Sequence, residues 1–189
     1  MKRIVIFASG NGTNADSICH YFTQQNEVEI AALFCNNANA GVIVKMEKWH
    51  VPVVLFNKQQ LQQEQTFLAL LQLYQPNLIV LAGFLWLIPP YFVAAFPNRI
   101  INIHPSLLPK FGGKGMYGHH VHEAVLAQKE ATHGITIHLV NDQFDKGKPL
   151  FQQSFEVKPN DVLETVSAKI ATLEMENFPK VIAEYLNTL

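Results

Sequence analysis

Short, nearly continuous apolar runs alternate along this chain with longer segments whose apolar residues recur at helical spacing. Ile4–Ala8, Val28–Cys35, Val53–Phe56, Leu78–Leu81 and Arg99–His104 read as strands too apolar to leave a face in water. Between them Ala15–Thr23, Gly41–His50, Leu61–Tyr74 and a short segment from Pro89-Pro90 to Ala95 read as helices. This alternation marks a parallel sheet with helices on both faces. The second half changes character. Lys110–His119 carries Gly112, Gly113, Gly115 and Gly118 and is expected to be a mobile loop. A helix is expected over His122–Gln128. Gly134–Val140 alternates, with Ile135, Ile137 and Leu139 on one face and Thr136 and His138 on the other. With Leu150–Val157 it is expected to add antiparallel strands to the sheet. Asp161-Val162-Leu163-Glu164 resembles a capping box opening a long helix, whose Val162, Val166, Ile170 and Leu173 keep one face apolar. The expectation is an α/β fold in a single domain spanning residues 1–189, with antiparallel additions in the C-terminal half.

Composition narrows the function classes. At 189 residues, 49% hydrophobic and 15% charged, the chain can fill one full core. A net charge of −1 leaves no broad basic face for nucleic acid. No apolar run approaches the roughly 18 residues of a membrane span. Met1-Lys2-Arg3 leads into an apolar run too short for a signal-peptide core. Cys19 and Cys35 form no ligand-like cluster and read as reduced, buried thiols. The expectation is a cytoplasmic protein with small-molecule partners, no nucleic acid and no membrane, as a monomer or homodimer.

The chemistry concentrates at Asn102-Ile103-His104-Pro105-Ser106-Leu107-Leu108-Pro109. Alternation puts Asn102 and His104 on one face of a strand, about 7 Å apart. Pro105 ends the ladder. An amide donor and an imidazole then stand at the C-terminal end of a strand, where open α/β sheets bind ligands. Such a pair can stabilise an oxyanion and handle a proton. Between the first strand and first helix, Ser9-Gly10-Asn11-Gly12-Thr13-Asn14-Ala15 offers close backbone approach and a helix N-terminus, which suits a phosphate. The pattern is formally a dinucleotide fingerprint, but Cys35-Asn36-Asn37 stands where the ribose-binding carboxylate belongs, and no Lys follows Gly12 for a P-loop. A phosphate monoester fits better than NAD or ATP. His119, His120 and His122 invite a metal reading, yet adjacent loop histidines rarely converge on one ion without a supporting carboxylate, so no metal is expected. Asp145, before the turn Lys146-Gly147-Lys148, would favour an imidazolium if that turn folds over the fifth strand to His104.

Taken together, these segments resemble the phosphoribosylglycinamide formyltransferases, folate-dependent enzymes of purine synthesis. The likeness runs in order through Ser9–Asn14, Leu81-Ala82-Gly83-Phe84, Asn102–Pro109, and His133-Gly134 through His138 to Asp142 and Asp145. It implies a Rossmann-like formyltransferase fold. The implied chemistry is direct formyl transfer from 10-formyltetrahydrofolate to glycinamide ribonucleotide, with no metal. Carried over by position, Asn102, His104 and Asp145 would be catalytic, with His104 protonated. Gly12, Thr13, Asn14 and Glu174 would hold the ribonucleotide. Leu85, Trp86, Leu87 and Ile88, with Asn102, Asn141, Asp142, Gln143, Phe144 and Asp145, would line the folate site. The family often has Arg within Leu85–Ile88, where this chain has Trp86, and another near Gln60. Two alternatives stand beside this reading: a formyltetrahydrofolate deformylase-like hydrolase, which shares the Asn–His–Asp set, and a non-catalytic nucleotide-binding module.

Overall fold

The computed structural model describes residues 1–189. Its elements are β1 (Lys2–Ala8), α1 (Thr13–Phe22), β2 (Val28–Cys35), α2 (Val42–Lys48), β3 (Val53–Leu55), α3 (Lys58–Leu61), α4 (Glu64–Gln72), β4 (Leu78–Leu81), α5 (Pro90–Ala95), β5 (Ile100–His104), α6 (His119–Ala127), β6 (Thr132–Leu139), β7 (Pro149–Glu156) and α7 (Leu163–Leu186). One seven-stranded sheet runs β3-β2-β1-β4-β5-β6-β7. The first five strands pair in parallel, and β6 pairs antiparallel with both β5 and β7. The alternating expectation for the first half and the antiparallel one for the second are both met. No helix is long and apolar enough to cross a membrane.

The period-two geometry of the strands divides the core into two layers. Ile4, Ile6, Val80, Ile101, Ile103, Ile135 and Ile137 face one side, where Ile18, Ile170, Phe178 and Ile182 of α1 and α7 cover them. Val5, Phe7, Phe34, Ile79 and Leu81 face the other, against Phe67 and Leu71 of α4 and Phe92 of α5. That second layer is aromatic. Phe7 stacks on Phe34 with centroids 5.0 Å apart and meets Phe56 and Phe84 edge-on. Edge-to-face contacts between such rings add to the burial of their area.

Local differences from the sequence reading have local causes. Leu61–Tyr74 is two helices, not one. Asn57 and Gln60 form a reciprocal capping box that starts a short helix early, and the chain breaks at Gln63 before α4. The last helix begins one residue later than a cap at Asp161 would place it. Thr165 Oγ1 accepts the Val162 N–H, while Asp161 instead accepts from Lys158 N–H and Lys169. The sixth helix starts at His119, because Gly118 (φ 53) supplies the turn into it.

Phe7 is fully buried at the centre of the aromatic layer. Phe7→Ala is expected to destabilise the fold by about 3–5 kcal/mol. A lower urea midpoint with an unchanged slope would report that loss.

Candidate active site

Strand order reverses between β1 and β4, so the chain leaves these neighbours in opposite directions and the following loops splay apart. A cleft of about 680 Å³ opens there. Leu85, Trp86, Leu87 and Ile88 form one wall, and Asn102, His104 and His138 lie at its base. Gly113–Gly118 and Asn141, Gln143, Phe144 and Asp145 stand across from them, while Asn14, Ile170 and Glu174 close one end. Leu85 and Leu87 are 49% and 40% exposed, so this wall presents apolar surface to a ligand. Trp86 is anchored edge-on by Phe56 and Phe84. Gln60, by contrast, spends its side chain on the α3 cap. The two loops at the switch point are tied together. Ser9 N–H donates to Gly83 O, and Leu85 N–H donates to Ser9 Oγ, each at 3.1 Å.

Antiparallel pairing sets Asn102 opposite His138 and His104 opposite Thr136. The four side chains therefore share one face. The turn after β6 carries Asp145 over them, with Asp145 in the left-handed region at φ 54. Gly147 makes that closure feasible, because a Cβ there would lie 1.6 Å from Leu139 O. Asp145 Oδ2 is 3.5 Å from His104 Nδ1, and Oδ1 is 3.6 Å from His138 Nε2. Gly113 N–H donates to Asp145 at 2.8 Å, and His104 Nε2–H donates to Phe111 O at 2.8 Å. The glycine-rich segment expected to be a mobile loop is thus latched to both residues. Burial lowers the His104 pKa more than Asp145 raises it. Burial alone would raise the Asp145 pKa, but His138, His104 and Gly113 together bring it below the usual value. The resting site therefore pairs a neutral imidazole with a carboxylate. The neighbouring carboxylate alone would favour an imidazolium at His104; with only 4% of the residue exposed, desolvation outweighs that charge and lowers the pKa below its ordinary value.

At the other end, Gly12 takes φ +74 at the N-cap of α1, where a Cβ would lie 2.3 Å from Val42 Cγ2. No side chain caps this helix, so its first N–H groups are open to an anion. Thr13 is exposed on the first turn. Asn14 Nδ2 donates to Glu174 at 2.9 Å. Burial pushes the Glu174 carboxyl up to about 7, although the Asn14 amide pulls it down. Of the residues expected at the site, Gly12, Thr13 and Asp142 do not line the main cleft. Gly12 and Thr13 sit beside it at the α1 N-terminus, and Asp142 is exposed on the β6–β7 turn.

Three features escaped the sequence reading. His138 donates to Leu139 O and contacts Asn102. Thr136 Oγ1 donates to Ser106 O and accepts from Leu108 N–H, which holds the turn after His104. His122, lining the cleft, pairs with buried His133 at 3.0 Å. Strand alternation sets Thr136 and His138 on one face but not what that face meets, which the β5–β6 register decides, and the third contact joins separate elements. On the outer face of α6, His119, His120 and Glu123 bring ligand atoms within 4.8 Å of one another, all three exposed. Glu123 is a carboxylate of the kind a metal site needs, but the trio lies outside the cleft lining.

The sequence matches the formyl transferase family over residues 2–182. It is 35% identical to a phosphoribosylglycinamide formyltransferase of Bacillus subtilis over 98% of this chain and 95% of that protein. It is also 35% identical to a chloroplastic phosphoribosylglycinamide formyltransferase of Arabidopsis thaliana, over 96% of this chain and 64% of that longer protein. The fold superposes on the crystal structure of a phosphoribosylglycinamide formyltransferase from Bacillus halodurans with a TM-score of 0.88, at 31% identity, covering 98% of this chain and 95% of that one.

The His122–His133 pair makes stability depend on pH. Burial and His122 hold His133 at about 4, against an ordinary value of 6.5. Between those values the unfolded chain binds more protons than the folded one, so stability falls as pH drops through that window. Thermal midpoints are expected to decline from about pH 6.5 towards pH 4. His133→Asn should show a shallower decline; an unchanged slope would remove this pair as a source.

Proposed function

This chain belongs to the formyl transferase family and is a formyl-transferring enzyme of purine biosynthesis; we propose that it carries formyl from 10-formyltetrahydrofolate to the amine of glycinamide ribonucleotide. The observation that carries the reading is the Asn102–His104 pair on β5 with Asp145 closed over it at the base of the cleft. The apolar wall Leu85–Ile88, with Trp86 buttressed by aromatic rings, suits the flat donor. The uncapped N-terminus of α1 suits the ribonucleotide phosphate, with Gly12, Thr13 and Asn14 around it. Glu174, hydrogen-bonded to Asn14, lines the cleft beside it.

In this reading the neutral glycinamide amine attacks the formyl carbon and the carbonyl oxygen becomes an oxyanion. Asn102 donates to that oxygen. Neutral His104 takes a proton from the nitrogen as it becomes an ammonium, and Asp145 stabilises the imidazolium formed. Collapse of the tetrahedral intermediate breaks the bond to the donor's N10, which recovers the proton from His104. The products are formylglycinamide ribonucleotide and tetrahydrofolate. The phosphate grip positions the amine beside the formyl carbon, an advantage that water lacks.

Two measurements test this reading. Asn102→Ala removes one preorganised donor and should lower turnover about 100- to 1,000-fold in a folded protein. A variant within a few-fold of the wild-type rate would end the assignment. The second follows formate release from 10-formyltetrahydrofolate without an amine substrate. Little release is expected until glycinamide ribonucleotide is added; substantial release would favour a deformylase-like hydrolase.

A further inference from the structure

A primary amide presents two edges of nearly the same shape, an oxygen and an NH₂, and its neighbours decide which way round it sits. Asn102 can serve as a donor to an oxyanion only if its NH₂ is held in a known direction. His138 is the neighbour in a position to hold it. The ring is 2% exposed on β6, directly opposite Asn102 in the antiparallel pair. Its Nδ1 lies 2.8 Å from Leu139 O. A carbonyl only accepts, so Nδ1 carries the hydrogen, and in the neutral ring Nε2 is a bare lone pair. Asn102 Nδ2 lies 3.1 Å from that lone pair. Turned the other way, the amide would set Oδ1 against it, lone pair to lone pair. Asp145 Oδ1 is the rival partner for Nε2, but it stands at 3.6 Å against 3.1 Å for Asn102 Nδ2, so Asn102 makes the closer contact.

We propose that His138 is a positioning residue, which fixes the tautomer of its own ring through Leu139 O and thereby fixes the direction of the Asn102 amide. One amide hydrogen is committed to His138 and the second is left for the cleft that Asn102 lines. The β6–β7 turn is part of the device. Lys148 O accepts the Leu139 N–H, and a side chain at Gly147 would strike Leu139 O and approach His138 Nδ1 to 3.3 Å. The inference rests on the reading of Asn102 as the oxyanion donor.

The test compares two variants and a double-mutant cycle. His138→Asn can still donate towards Leu139 O but offers no acceptor at the Nε2 position; His138→Gln reaches that position with an amide oxygen. For His138→Asn, kcat should fall about ten- to a hundredfold while KM for both substrates stays within about twofold. His138→Gln should recover most of the loss. In an Asn102→Ala background, His138→Asn should cost no more than about a further twofold, because the group it orients is gone. Losses that multiply in the two backgrounds, or that appear in KM instead of kcat, would overturn the proposal. Nitrogen NMR of the unmodified enzyme tests it without any variant: His138 should be the neutral tautomer with hydrogen on Nδ1, and hydrogen on Nε2 would sink the idea. If Asn102→Ala turns over normally, the oxyanion reading falls and this inference with it. If Asn102→Ala is impaired and His138→Asn is not, only the inference falls.

Discussion

The antiparallel register of β5 against β6 is the constraint on which the site depends. It pairs Ile101 with Leu139, Asn102 with His138, Ile103 with Ile137 and His104 with Thr136. Side chains alternate with a period of two, so a slip of one residue would exchange the two faces of a strand. The isoleucines resist that slip. Ile101, Ile103, Ile135 and Ile137 all point into the layer under α1 and α7, and each is at least nine-tenths buried. Their burial is what compels the polar residues between them onto the opposite face at the cleft. The apolar core thus does the positioning that the chemistry requires.

Once gathered, the polar residues set one another's charge. His104 and His138 flank a single carboxylate, and the backbone completes the arrangement at Phe111, Gly113 and Leu139. An isolated carboxylate taken out of water would hold its proton; this one stays below its usual pKa because the Gly113 N–H donates to it and the His104 and His138 rings lie beside it. The imidazole beside it stays neutral because burial costs it more than a single anion returns. A neutral base beside a fixed anion can accept a proton and be stabilised as it does so.

The far end of the cleft is built by the long helix α7. Pro179 lies inside it and has no N–H to give to the carbonyl four residues back, at Met175. Ser17 of α1 donates its hydroxyl to that carbonyl at 3.1 Å. The same two helices meet at Asn14 and Glu174, so a break in one helix's own ladder becomes a tie between the two elements that close the cleft.

Much of this was legible in the sequence. The apolar runs revealed the strands, because strands buried on both faces must be apolar throughout. Pro105 and the glycines at Gly10 and Gly12 marked where the ladders stop, and the Asn102–x–His104 spacing placed two functional groups on one face, because strand periodicity is a local property. Less local features were not legible. The split of Leu61–Tyr74 turned on a side-chain cap from Asn57, which lies outside that segment. The meeting of Asp145 with His104, the neutral state of that imidazole, the pairing of His122 with His133 and the contact of His138 with Asn102 all join residues far apart in sequence. Periodicity along a chain determines which face a side chain occupies; only the packed sheet decides what stands opposite it, how dry that place is, and therefore which groups carry a proton.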